Sequence, residues 1–198
     1  MELEAVSWDE IYTMLVNLAD KIKKDRFKPD VIVGVSRGGW PPARVLSDLL
    51  ENPELANVKV EFYVGVNETK KEPVITQPIS VPVKNKKVLV VDDVADTGRS
   101  LLLVRQHLLE NGAKEVKVAT IYYKPWSKII PDYYERETNC WIVFPWERRE
   151  TVRNVLEKLM KKGKTVEEVK EVLVKAGLES WIVEKFVKEA LQKLEGCR

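Results

Sequence analysis

Apolar residues recur at helical spacing at Ile11, Leu15, Leu18 and Ile22, which predicts an amphipathic helix near the start of the chain. Ser7 and Glu10 stand three residues apart just ahead of it, the spacing of a capping box, and set where it begins. A basic stretch and Pro29 close it. Val31 to Val35 is a short run without polar side chains, as expected of a buried strand. Ser36-Arg37-Gly38-Gly39 is a turn, and Pro41-Pro42 opens a second helix that runs to about Leu50. Val58 to Val66 reads as a strand. From Asn67 to Pro82 the chain is polar, carries Pro73 and Pro78 and lacks a helical period, so a mobile loop is expected there, with room for a hairpin.

A second buried strand covers Val88 to Val91, and a helix follows from about Gly98 to Asn111, with Gly112 placed to end it. Val116 to Tyr123 is a third strand. This alternation predicts an α/β fold with a doubly wound, mostly parallel sheet and flanking helices. Such sheets bind ligands beyond the carboxyl ends of their strands, and the turns at Ser36, Asp92 and Lys124 all lie at such ends. After Glu147 the pattern becomes that of short amphipathic helices, three of them between Thr151 and Arg198. Thr165 and Glu168 form a second capping box, Gly177 ends that helix, and Ile182, Val183, Phe186, Val187, Ala190, Leu191 and Leu194 make an apolar stripe. The expected organisation is a domain over residues 1–150 and a helical C-terminal extension over 151–198.

Composition removes whole classes of function. The 198 residues carry 33 basic and 31 acidic side chains, a net charge of +2, which leaves no electrostatic footprint for nucleic acid. Cys140 and Cys197 are the only cysteines and His107 the only histidine, which argues against a zinc ribbon, a disulfide framework and a histidine-rich metal site. No apolar run approaches the ~20 residues of a membrane span, and no signal-peptide pattern opens the chain. The expectation is a soluble, cytoplasmic protein with no membrane partner.

The informative chemistry lies in Val88-Leu89-Val90-Val91-Asp92-Asp93-Val94-Ala95-Asp96-Thr97-Gly98-Arg99-Ser100. A buried strand brings two adjacent carboxylates to the sheet edge, and a tight turn then opens a helix. Backbone N–H groups at a helix N-terminus bind phosphate, Thr97 and Ser100 add hydroxyl donors, and Gly98 lets the backbone approach closely. Asp92 and Asp93 do not bind phosphate themselves; they suit sugar hydroxyls, or Mg²⁺ held through water. A capped helix would account for Asp96 or Thr97 alone, but not for three acids packed around a phosphate-type turn. A two-component receiver domain also carries paired acids after a strand, but near its first strand rather than in mid-chain.

This segment resembles the phosphoribosyl-diphosphate signature of type I phosphoribosyltransferases: the aliphatic strand, both acids and the D-T-G-x-S turn all match. Ala95 stands where a larger aliphatic residue is commoner. The resemblance spans about Trp8 to Glu147 and points to the purine branch, similar to bacterial xanthine–guanine phosphoribosyltransferases. It implies that the loop Ala95, Asp96, Thr97, Gly98, Arg99 and Ser100 anchors the 5-phosphate of phosphoribosyl diphosphate. It also implies that Asp92 and Asp93 hold ribose hydroxyls and the Mg²⁺ shell, with Asp93 binding the metal through water. Ser36, Arg37 and Gly38 would hold pyrophosphate, and a mobile loop or hood would close over it using Lys70 or Lys71. Lys124 would donate to a purine 6-oxo group, Trp141 would stack on the base, and the backbone at Ile142 would read its 2-position. Asp96 would accept the purine N7 proton as general base.

The implied activity is transfer of 5-phosphoribosyl to guanine, xanthine or hypoxanthine in purine salvage, by a homo-oligomer, dimer or tetramer. The alternative is a regulator on the same fold that binds phosphoribosyl diphosphate or nucleotide without turnover. Retention of Asp96, Lys124 and Trp141 speaks for the enzyme; the helical tail, with no assigned task, is what speaks for the regulator. Lys124 with Trp141 favours a purine over a pyrimidine.

Overall fold

The computed structural model describes residues 2–52, 54–64 and 71–196. In chain order the elements are β1 (Leu3–Ala5), α1 (Trp8–Lys24), β2 (Val31–Ser36), α2 (Trp40–Leu49), β3 (Leu55–Val64), β4 (Lys71–Gln77) and β5 (Lys87–Ala95). They continue with α3 (Arg99–Glu110), β6 (Glu115–Tyr123), β7 (Tyr133–Glu137), β8 (Trp141–Val143), α4 (Arg148–Met160), α5 (Val166–Lys175) and α6 (Ser180–Gly196). The chain divides into two compact units, Ile11–Thr138 and the pair Met1–Glu10 with Asn139–Arg198.

The first unit is built on a six-stranded sheet of order β4-β3-β2-β5-β6-β7. The pairs β2–β3, β2–β5, β5–β6 and β6–β7 are parallel, and β3–β4 is antiparallel. The uninterrupted valine runs foretold burial on both faces. Val31, Val33, Val88 and Val90 pack with Leu101, Val104 and Leu108 of α3, while the intervening Ile32, Leu89 and Val91 are also inaccessible to solvent. From β2 the chain moves outward to β3 on one side, and from β5 to β6 on the other. The strand order therefore reverses between β2 and β5, and the loops leaving those two strands diverge around a crevice.

Between Asn67 and Pro82, where a loop with room for a hairpin was expected, Lys71–Gln77 is strand β4. β4 pairs with β3 through Phe62↔Pro73, Glu61↔Val74 and Val60↔Ile75, so this stretch is the return arm of a hairpin. Pro73 is compatible with it because β4 is the sheet edge, where one side of the backbone has no ladder to satisfy. Residues 67–70, including Lys70, lie outside the described residues, and Lys71 is the first residue of β4. Strand β3 begins at Leu55, earlier than Val58, and β5 runs on through both acids to Ala95.

An ion-pair cluster ties the end of α1 to β6 and β7. Lys117 Nζ lies 2.5 Å from Asp25 Oδ2, the Tyr133 hydroxyl donates to the same oxygen at 2.5 Å, and Lys117 also sits 4.9 Å from the Phe27 ring centre. The Lys117 hydrogen bond, aided by Tyr133, holds Asp25 below its ordinary carboxyl range. Burial, followed by the hydrogen bond to Asp25, pushes the Tyr133 phenol up to about 12. A carboxyl depressed by folding adds stability above its unfolded pKa and loses it as pH falls through the lower folded value. A phenol raised by folding adds stability below its unfolded value and loses it as pH rises toward about 12. Asp25→Asn is accordingly expected to lower the melting temperature at neutral pH, with the difference from wild type vanishing in acid. Circular-dichroism melts across pH test this; a constant difference down to acid pH would contradict the ion-pair origin.

The second unit has its own core. β1 and β8 pair in parallel as a two-stranded sheet, Leu3↔Trp141, Glu4↔Ile142 and Ala5↔Val143. Val143 packs with Val152, Val155 and Leu156 of α4, Val169 and Leu173 of α5, and Val183, Val187 and Ala190 of α6; Leu3, Ala5, Phe186 and Leu191 pack around them. Val183, Phe186, Val187, Ala190 and Leu191 of the tail's apolar stripe thus pack within their own unit. Helix α4 starts at Arg148 rather than Thr151, and Arg148 pairs with Glu179 and donates to Val6 O. Both expected capping boxes are present, Ser7 with Glu10 and Thr165 with Glu168. No helix among the described residues is long and apolar enough to cross a membrane.

Candidate active site

The three loops singled out in the sequence leave the carboxyl ends of β2, β5 and β6, which are neighbours in the sheet. The Ser36–Arg37 peptide, at the end of β2, is cis. Ser36 Oγ accepts a hydrogen bond from Asn57 of β3 at 3.1 Å, and Arg37 is exposed. Gly38 lies directly against β5: a Cβ there would fall 2.1 Å from Asp93 Oδ2 and 2.6 Å from its Cγ. The Asp93 carboxylate thus fills the place of a side chain at Gly38, and at Gly39 a Cβ would fall 2.3 Å from the Val91 carbonyl oxygen.

The strand was expected to end in a turn at Asp92; β5 instead continues through both acids to Ala95. Strand alternation sends them to opposite sides. Asp93, 8% exposed, faces the loop after β2 and accepts from Val94 N at 2.8 Å. Asp92 is half-buried and lines a cavity with Phe62, Val94 and the run from Asp96 to Leu101, of about 420 Å³. Burial, and next the charge of Asp93, push the Asp92 carboxyl well above the ordinary range. Two adjacent carboxylates that resist joint ionisation suit a site that receives a cation with its substrate.

Ala95 was expected in the phosphate loop; it is the last, fully buried residue of β5, and its carbonyl accepts from Lys124 N at 3.1 Å. The loop proper is Asp96 to Gly98. Gly98 caps α3 with φ of 72° and brings no capping side chain of its own, while the Arg99 N–H donates to Thr97 Oγ1 at 3.5 Å. The first bond of the helix runs from Leu102 N to Gly98 O at 3.0 Å, so the N–H groups of Arg99, Ser100 and Leu101 precede it and point out of the helix end. Their partial positive charge meets the 420 Å³ cavity, which is what an anion requires. The Arg99 side chain, by contrast, forms an ion pair with Glu72 of β4.

The loop after β6 braces the phosphate loop. Lys128 N donates to Thr97 O at 3.1 Å, and Ser127 and Ile129 fill the space beside Gly98. Lys124 is almost inaccessible, 5% exposed, and its ammonium lies 5.6 Å from the centre of the Trp126 ring. The Trp126 indole donates to Asp96 Oδ1 at 3.0 Å. Sequence reading passed over Trp126; a tryptophan two residues past Lys124 was the available signal. His107, the only histidine, accepts from Ile79 N at 3.3 Å and serves the packing of the hairpin exit on α3. Asp132 accepts from Val118 N at 2.8 Å and has a structural task.

Trp141 and Ile142 belong to the second compact unit. Trp141 is 52% exposed. Its N–H donates to Glu2 O at 2.8 Å, and Val143 O accepts from Val6 N at 3.3 Å. Strand alternation then turns the N–H and C=O of Ile142 to the opposite edge of β8, away from β1.

A mostly parallel sheet with a helix N-terminus and paired carboxylates at its switch point defines an α/β protein whose ligand crevice lies beyond the strand ends. The chain belongs to the phosphoribosyl transferase domain family, which it matches over residues 7–151. It is 43% identical to a purine phosphoribosyltransferase from Pyrococcus horikoshii of known structure, with a TM-score of 0.67 over 74% of this chain and 94% of that one. It is 32% identical to a xanthine-guanine phosphoribosyltransferase of Cereibacter sphaeroides, over 72% of this chain and 85% of the relative. A hypoxanthine-guanine phosphoribosyltransferase of Streptococcus pneumoniae is 29% identical, over 70% of this chain and 77% of the relative.

Proposed function

We propose that the protein is a purine phosphoribosyltransferase that transfers 5-phosphoribosyl from phosphoribosyl diphosphate to guanine, xanthine or hypoxanthine. The observation that carries this reading is the meeting of three loops at the switch point. The N-terminus of α3 faces the cavity, Asp93 is seated against Gly38, and the Lys124 main-chain N–H donates to Ala95 O. The names of the relatives agree with it.

In the reaction a bond forms between purine N9 and the anomeric carbon, and the bond from that carbon to pyrophosphate breaks with its electrons leaving on oxygen. Charge accumulates on the leaving group and on an oxocarbenium-like sugar, so positioning and countercharge matter more than a nucleophile. The N–H groups at the start of α3, with Thr97 and Ser100, hold the 5-phosphate. Ser36, Arg37 and Gly38 hold pyrophosphate, and Asp92 holds ribose hydroxyls. Two adjacent carboxylates supply hard oxygen donors that suit Mg²⁺ held through water, chiefly by Asp93, where the ion would supply countercharge to pyrophosphate. Lys124 donates to the purine 6-oxo group and so disfavours a 6-amino base. Asp96 takes the N7 proton. The phosphoribosyltransferase domain would cover residues 1–150, with 151–198 as a helical addition, and the enzyme would act in the cytoplasm as a homo-oligomer.

Pyrophosphate release with phosphoribosyl diphosphate, Mg²⁺ and each purine in turn is the direct test. Turnover with a 6-oxopurine but not with adenine is the expected result. Tight binding of phosphoribosyl diphosphate with no turnover on any base would replace the enzyme with a regulator. Trp141 supplies the stacking face in this reading, and base–aromatic stacking contributes ~1–3 kcal/mol. Trp141→Ala is therefore expected to raise the purine KM by about 5- to 160-fold and to leave the KM for phosphoribosyl diphosphate unchanged. Because Trp141 is already half exposed, its melting temperature should move little; an unchanged purine KM would remove Trp141 from the base site.

A further inference from the structure

We infer that Trp126 is a positioning residue that holds the Asp96 carboxylate in the plane needed to receive the purine proton. This rests on the reading of Asp96 as the general base. Trp126 stands between two backbone bridges, Lys124 N to Ala95 O and Lys128 N to Thr97 O, both 3.1 Å, which fix its segment to the phosphate loop. The backbone under the indole is thus set by the same loop that carries Asp96. The ring itself is 54% exposed, so packing does not explain its presence. Its directional contact is the N–H donated to Asp96 Oδ1 at 3.0 Å.

An aspartate on an exposed loop has a broad, weakly preferred rotation of its carboxylate plane. A donor on one oxygen removes that freedom and leaves the other oxygen to the incoming N–H. The hydrogen bond is charge-assisted, the strong kind, and costs little entropy because the indole donor is rigid. The Lys124 ammonium, 5.6 Å from the ring centre, adds a cation–π contact on the face of the same indole. Trp126 therefore touches both groups that the proposed reaction assigns to the N7 and 6-oxo edge of the base. It fixes them relative to one another without itself meeting the reacting atoms.

Trp126→Phe removes the N–H and keeps an aromatic ring over Lys124. The expected result is a fall in kcat of about tenfold, the rate equivalent of one lost charge-assisted hydrogen bond, with the KM for phosphoribosyl diphosphate unchanged. Placed on Asp96→Asn, the same substitution is expected to cost nothing further, because the proton acceptor it positions is gone. In ¹H–¹⁵N spectra of the ligand-free enzyme the Trp126 indole resonance, assigned by its loss in Trp126→Phe, is expected to move in Asp96→Asn. Wild-type kcat in Trp126→Phe, or the same tenfold loss on both backgrounds, would overturn the positioning role and leave Asp96 as the base. Full turnover by Asp96→Asn alone would overturn the general-base reading, and Trp126's role with it.

Discussion

Asp96→Asn is expected to lower kcat for a 6-oxopurine by about 10²- to 10⁴-fold, the usual contribution of a positioned general base, while binding of phosphoribosyl diphosphate stays close to wild type. The substitution is nearly isosteric. The amide keeps an oxygen that can accept the Trp126 N–H, now 3.0 Å from Oδ1, so the loop has no reason to move. In the proposed site the phosphate would be held by main-chain N–H groups at the start of α3 and by Thr97 and Ser100, none of which changes. What is lost is an acceptor for the N7 proton. Steady-state kinetics and calorimetric titration of phosphoribosyl diphosphate separate the two effects. Equal losses in kcat and in affinity for the diphosphate would move Asp96 from proton transfer to substrate binding.

The second large effect is expected at Gly98. Its φ of 72° lies in the left-handed region, and a Cβ would fall 2.5 Å from Ser127 Oγ, 2.7 Å from Ile129 Cγ2 and 2.9 Å from Ile129 N. The backbone term is about 1–2 kcal/mol for a residue with a Cβ. Forcing a methyl into filled space adds about 1–3 kcal/mol. Gly98→Ala should therefore lose about 2–5 kcal/mol in urea denaturation. It should also abolish binding of ribose 5-phosphate, because relief of the clash pushes apart the two loops that frame the helix end. Gly163 provides the control: its φ is 82° but a Cβ there meets nothing within 4 Å. Gly163→Ala should show the backbone term alone, about 1–2 kcal/mol, with activity intact. Equal destabilisation by the two substitutions would mean that the Ser127–Ile129 wall yields and that Gly98 is needed for its conformation only.

Both expectations depend on residues whose importance was unequally visible in the sequence. Asp96 and Gly98 stand in a continuous thirteen-residue signature from Val88 to Ser100, where a strand, a turn and a helix start follow one another. Every part of that signal is local, so it survives in one dimension. The Ser127–Ile129 wall and the Trp126 indole come from a loop about thirty positions further on, brought back by the pairing of β6 with β5. The Arg99–Glu72 ion pair spans 27 positions and depends on a strand that the sequence offered only as a possible hairpin within a loop. β4 was hidden by Pro73, which excludes a central strand but not an edge one. β1 and β8, three residues each, are too short to show a period and exist because each completes the other.

By itself the sequence determined the parallel core strands, both capping boxes, the three helices of the tail and the strand–turn–helix from Val88 into α3. These follow from side-chain periodicity and turn chemistry, which act between residues a few positions apart. Only the tertiary structure decided that Asp92 lines the cavity while Asp93 is seated against Gly38, that Ala95 ends a strand, and that the tail shares its core with β1 and β8. These are facts about which strand lies beside which. Strand order is chosen by the collective burial of apolar faces contributed from distant parts of the chain, and no local window of sequence contains it.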